Sequence, residues 1–436
     1  MKSADTIIDA RWIIPVEPAG VVLDRHSLVV TAGEVIALAP TSQIASTYTA
    51  KRHLTLHDHV LIPGLVNLHT HAAMTLLRGL ADDKTLMDWL RNYIWPVESR
   101  MVSPAFVHDG TLLACAEMLR GGITCFADMY FFPEAAADAA LQAGMRASIG
   151  IIVIEMASPY ASDAGDYLTK GLAMRDALSD EPLVSFCMAP HAPYTVSDST
   201  LERVATYAAE LDIPIQIHLH ETKEEIQESV ATHQVRPIQR LQRAGLLGPT
   251  LIAVHAVHLE PHEIASLARH GCSVAHCPSS NLKLASGVAP VAGMLEKGIN
   301  VGLGTDGAAS NNRLDLLNEM RHAALLAKAA SGDPTALGAH EALHMATLAG
   351  AKALGLDARI GSLVPGKRAD IAAIDLSAIE LSPCYDPASH VVYAAGREHV
   401  SHVWVDGELR VEDRHLQGID ERELRLKAAH WKDKIA

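Results

Sequence analysis

The apolar positions change period twice along the chain. Up to about residue 60 they alternate with polar ones in short runs broken by turn residues, which predicts strands at 6–14, 27–31, 34–38 and 53–56. The 34–38 run follows an Ala32-Gly33 turn. From 61 to about 348, apolar runs of four to eight residues alternate with stretches of helical period. The runs predict eight strands, at 65–69, 123–128, 147–154, 184–189, 213–219, 251–255, 273–276 and 299–304. The stretches at 103–120, 133–143, 199–211, 260–270 and 290–297 predict helices, and Ser199 with Glu202 reads as a capping box. Short strands return at 370–374, 402–405 and 408–411, the last two joined at Asp406-Gly407, before a charged helix at 421–434.

Eight β/α units whose strands are too uniformly apolar to face water argue for an α/β fold, a parallel (β/α)8 TIM-type barrel. Periodicity alone leaves a doubly wound open sheet as the alternative. The two β-rich ends are expected to pair into a small β-sandwich beside the barrel. Residues 1–60 and 361–436 then form the sandwich and the C-terminal helix, and 61–360 form the barrel. Composition narrows the function. A formal charge of −15 without clustered Lys and Arg argues against a nucleic-acid partner. The absence of a signal-peptide pattern and of an 18-residue apolar run argues against a membrane partner. The six cysteines include no CxxC and suit a reducing compartment, so a cytoplasmic location is expected.

The chemistry gathers at the predicted strand ends, where a barrel keeps it. The first strand ends in His69-Thr70-His71, whose imidazoles share a face at i and i+2. The fourth ends in His191 and Tyr194, the fifth in His218-Leu219-His220-Glu221, the sixth in His255, the seventh in His276-Cys277 and the eighth in Thr305-Asp306. Singly, His218 or His255 reads equally as a core histidine and Asp306 as a turn residue. In order, at successive strand ends, His69, His71, His218 and Asp306 form a ligand set for one Zn2+. Fe2+ and Mn2+ suit the same donors. Glu221, just past the strand end, is placed to shuttle protons, and His255 to bond the attacking water and stabilise its oxygen.

The segments PGLVNLHTH, HLHET, VHAVHL, HCPSSNLKL, LGTDGAASNN and GSLVPGKRADIAAID resemble the motifs of the amidohydrolase superfamily, in its branch of purine and pterin aminohydrolases. HTHAAMTLLRGLADD, Trp89 followed by Glu98 in WPVESR, APHAPYT and GTDGAASNN are most similar to the 5′-methylthioadenosine/S-adenosylhomocysteine deaminases of that branch. The resemblance implies hydrolytic deamination of an adenine nucleoside to the inosine derivative and ammonia. Its small-molecule substrates would be 5′-methylthioadenosine, 5′-deoxyadenosine, adenosine or S-adenosylhomocysteine. It implies that Glu221 protonates the purine ring, that His255 polarises the hydroxide, that Glu98 grips the ribose hydroxyls and that His191 lies beside purine and ribose. Trp89 stands as a pocket wall or a core residue, and 82–92 as part of a lid or a plain surface helix. The family also tends to homo-oligomers. Two departures carry weight: Ile151 aligns where relatives carry an arginine, which favours an uncharged 5′ substituent, and the fourth strand end has no lysine to bridge two metals, which favours one zinc per subunit. The alternative is the same apparatus acting on guanine, a pterin or an s-triazine, the last by displacing chloride. A non-catalytic relative is the rival of another class, and zinc content separates it.

Overall fold

In a computed structural model describing residues 1–436, sixteen strands fall into two eight-stranded sheets. Strands β1 (Lys2–Ile13), β2 (Leu23–Thr31), β3 (Glu34–Pro40) and β4 (Tyr48–Pro63) open the first sheet. The second holds β5 (Leu65–Thr70), β6 (Ile123–Asp128), β7 (Arg146–Val153), β8 (Val184–Pro190), β9 (Ile215–Leu219), β10 (Leu251–His255), β11 (Ser273–His276) and β12 (Asn300–Leu303). Every pairing in it is parallel and between consecutive strands, which is barrel order and not that of an open doubly wound sheet. Strands β13 (Ile371–Asp375), β14 (Val400–Val405), β15 (Glu408–Glu412) and β16 (His415–Leu416) return to the first sheet.

That first sheet runs β16-β15-β14-β13-β4-β1-β2-β3, so the two ends of the chain meet at the antiparallel β4–β13 pair. It curls until its turns touch: Ala369 N–H donates to Gly33 O, and Gly407 N–H to Ala369 O. Ile8, Leu28, Val35 and Leu61 share one buried cluster with Ile371 and Trp404 across the curl. Strand β4 is far longer than the 53–56 that alternation predicts. Its first half is largely exposed, so no apolar period marks it, and its last residues lie between β1 and β13 and read as an unbroken apolar run. The helix Asp198–Leu211 is capped by Ser197, whose hydroxyl accepts from Thr200 N–H, and not by Ser199. No helix is long and apolar enough to cross a membrane.

The barrel closes between β5 and β12 through side chains. Asn67 accepts from Thr305 N–H at 2.9 Å and donates to Thr305 Oγ1 at 2.8 Å, while Asp306 N–H donates to His69 O. A Cβ on Gly304 would sit 2.9 Å from His69 Cβ, so glycine permits the approach. Asn67 is fully buried. Asn67→Ala should therefore leave Thr305 N–H without its acceptor and Thr305 Oγ1 without its donor, and cost about 2–4 kcal/mol. A lower urea midpoint at constant m-value would register it; an unshifted midpoint would remove Asn67 from the seam.

Candidate active site

His69 sits on β5 with His71 just beyond it, His218 lies on β9, His255 ends β10, and Asp306 follows β12. Their side chains converge. His69 Nε2 lies 3.1 Å from His218 Nε2 and 3.5 Å from Asp306 Oδ1, and His71 Nε2 lies 3.3 Å from the same oxygen. The other ring nitrogens explain the aim. His69 Nδ1 is 2.8 Å from Gln216 Oε1, His71 Nδ1 is 2.6 Å from Met129 O and His218 Nδ1 is 2.7 Å from His191 O. Each partner is an acceptor, so each Nδ1 carries the hydrogen and each Nε2 presents a lone pair. Burial lowers the pKa of His69, and that of His218 far more, which keeps both neutral.

Two imidazole lone pairs cannot bond each other at 3.1 Å; a cation between them resolves the contact. Asp306 supplies the anionic oxygen. Ser280 and Ser310 donate to its Oδ2 at 2.6 and 2.8 Å and Gly307 N–H donates to Oδ1, which fixes the carboxylate with Oδ1 toward the histidines. Three imidazoles and one carboxylate, oriented by their outer partners, fit a single zinc ion. His255 Nε2 faces the same point: the ligand atoms of His69, His218 and His255 all lie within 4.8 Å of one another. Its Nδ1 is 2.8 Å from Asn281 Oδ1.

The backbone spends strain here. His220, His255 and Asp306 all have positive φ, at 54°, 69° and 61°. At His220 the turn sends the ring away from the centre, where its Nε2 accepts from Ile238 N–H, and brings Glu221 inward. Glu225 holds that turn, accepting from His220 N–H at 3.1 Å and Glu221 N–H at 2.8 Å. Glu221 is buried, its Oε2 3.9 Å from His255 Nε2. Burial first, then the charge of Asp306, pushes its carboxyl up to about 8.

The centre opens into a cavity lined mostly by apolar side chains. One wall is the helical stretch beginning at Leu86–Trp89 and ending at Trp95–Met101, so the segment expected as part of a lid or a plain surface helix lines the pocket. Trp89 is both buried and part of the lining. Glu98 reaches in from the last helix, where Tyr130 donates to its Oε1 at 2.6 Å and burial holds its carboxyl up at about 7. His191 lines the cavity with its Nδ1 3.0 Å from Thr195 Oγ1, and burial lowers its pKa to about 3.

Ile151 does not look into the pocket. It packs on Gly171 of the helix Ala164–Ala177, and Ile152 and Ile154 line the cavity instead. Neighbouring residues of a strand face opposite ways, so Ile151 makes no part of the pocket wall. The lining includes neither lysine nor arginine. Sequence reasoning also missed Gln216, Asn281, Glu225 and Tyr130. Thr222 and Glu225 carried a readable signal, the T-x-x-E of a capping box, since Thr222 Oγ1 accepts from Glu225 N–H. The other three carried none.

Comparison with known proteins agrees with this geometry. The amidohydrolase family model matches residues 60–410. A 5-methylthioadenosine/S-adenosylhomocysteine deaminase of Teredinibacter turnerae is 48% identical over 431 residues, covering 99% of this chain and 98% of the relative. The protein of that name from Saccharophagus degradans is also 48% identical, over 99% of this chain and 97% of its own. The crystal structure of an adenosine deaminase from Xanthomonas campestris with bound zinc superposes with a TM-score of 0.98 at 46% identity, covering 100% of this chain and 99% of that one. A histidine–aspartate centre at the strand ends of a parallel barrel, with matches over nearly the full length, places this chain in the amidohydrolase family.

Proposed function

We propose that the chain is a zinc-dependent aminohydrolase that converts adenine nucleosides to the inosine derivatives and ammonia. 5′-Methylthioadenosine, 5′-deoxyadenosine and adenosine are its substrates, with S-adenosylhomocysteine the least favoured. The observation that carries this reading is the pairing, within one cavity, of a His3Asp donor set and Glu221 with the carboxylate of Glu98. The relatives named for these substrates support the reaction. A lining without a cation favours the uncharged 5′ substituents over one ending in a carboxylate.

Zinc held by His69, His71, His218 and Asp306 would bring the pKa of a coordinated water down toward neutrality. Glu221 takes a proton from the attacking water and delivers it to ring N1, which makes C6 electrophilic. His255 bonds to Asn281 through Nδ1, so its neutral Nε2 accepts from the attacking water, and as imidazolium it stabilises the oxygen on C6. The tetrahedral carbon then expels ammonia, after Glu221 or Asp306 relays a second proton to the amino group. Glu98 accepts the two ribose hydroxyls, while His191 and Trp89 flank the nucleoside.

The test is ammonia release by zinc-loaded protein on 5′-methylthioadenosine, 5′-deoxyadenosine, adenosine, S-adenosylhomocysteine, guanine and a pterin. Turnover concentrated on the adenine nucleosides is expected. Turnover of guanine or the pterin alone would leave the metal site standing and overturn the roles of Glu98 and His191. The proposal extends to self-association, supported by the family's habit and read by light scattering, and to a lack of nucleic-acid affinity, supported by the net charge of −15.

A further inference from the structure

Three consecutive residues at the C-terminal end of β6 touch both halves of the cavity. Asp128 accepts from Ala72 N–H at 2.7 Å and from the Thr70 hydroxyl at 3.1 Å, which holds the turn carrying His69 and His71. Met129 donates its N–H to Thr70 O and accepts from His71 Nδ1. Tyr130 then donates its hydroxyl to Glu98 at 2.6 Å. One strand end therefore holds both the turn that carries the histidines and the carboxylate of Glu98.

The bond between Tyr130 and Glu98 is the unusual link. Both residues are buried, 5% and 9% exposed, and both line the cavity. The phenol has one hydrogen, and Glu98 takes it on Oε1. The second carboxylate oxygen makes no hydrogen bond within the protein and is left for a ligand. Burial works against the charged form of Glu98, and the phenol works for it. A carboxylate in an apolar wall without that donor would lose both its fixed rotamer and part of its charge. We propose that Tyr130 is a positioning residue for sugar recognition: its hydroxyl orients Glu98 as an ionised acceptor for a vicinal diol, so this enzyme selects ribosides through Tyr130 as much as through Glu98. The inference rests on the reading of Glu98 given above.

The experiment compares the zinc-loaded wild-type enzyme with Tyr130→Phe and Glu98→Gln on adenosine and on 2′,3′-dideoxyadenosine. Tyr130→Phe keeps the ring and its packing. It should raise KM for adenosine about tenfold to a hundredfold, the loss of one hydrogen bond to a charged group, with kcat within about threefold and zinc content unchanged. On the dideoxy nucleoside the variant should match wild type. Equal losses on both nucleosides, a fall in kcat or zinc alone, or no change on either would overturn the role. The Glu98→Gln arm separates two failures. If Glu98→Gln discriminates between the nucleosides and Tyr130→Phe does not, only the role of Tyr130 falls; if neither discriminates, the reading of Glu98 falls with it.

Discussion

Replacing Glu221 by glutamine lowers kcat by about two to four orders of magnitude while the protein retains its full complement of zinc. The range is that of a lost proton shuttle. The amide has nearly the same shape, and the fold around it does not depend on the carboxyl: Glu225 holds the turn through the backbone N–H of Glu221. The ligand atoms of His69, His71, His218 and Asp306 lie on other side chains, each with its own outer partner. What the substitution removes is a group able both to accept a proton from the attacking water and to give it to N1. No neighbour can take over. His255 Nε2 comes within 3.9 Å of the carboxylate, but its other nitrogen is bonded to Asn281, so the ring has one free nitrogen, already assigned to the attacking water. Turnover near that of wild type, with zinc retained, would sink the role given to Glu221.

Such a variant is nameable from the sequence because of how a barrel is built. Strands buried on both faces read as apolar runs, so a histidine or aspartate at the end of each stands out against its own strand. The eight runs and the residues ending them were legible for that reason. The groups that aim those residues were not. Gln216 is one polar residue inside β9, and its importance appears only when β9 and β5 meet in the barrel and His69, 147 positions away, reaches its carbonyl. Asn281 and Tyr130 lie beyond strand ends, where any polar residue is unremarkable until its partner, His255 or Glu98, is in place. Ile151 shows a different limit: its strand is legible, but the face its side chain takes depends on register to the single residue, and the structure turns it onto Gly171.

The largest loss expected of this protein follows removal of the metal. Dialysis against a strong chelator should reduce deamination to the uncatalysed background, and one equivalent of Zn2+ should restore it. Magnitude ranks this above the shuttle: a coordinated divalent cation brings water from a pKa of 15.7 to about 7, which no side chain in the cavity can imitate. The stripped site should also cost stability. Without a cation, His69 and His218 hold two lone pairs 3.1 Å apart beside the Asp306 carboxylate, and the linkage term for a ligand present at a hundred times its Kd, about 2.7 kcal/mol, is forfeited. A lower thermal midpoint that zinc reverses is therefore expected alongside the loss of activity. Asp306→Asn distinguishes ligand loss from unfolding: it keeps the shape that Ser280 and Ser310 hold but gives up the charge, so zinc should bind weakly and turnover should stay depressed after reloading. Undiminished deamination by protein shown to be free of metal would overturn the centre, and with it every role assigned around it.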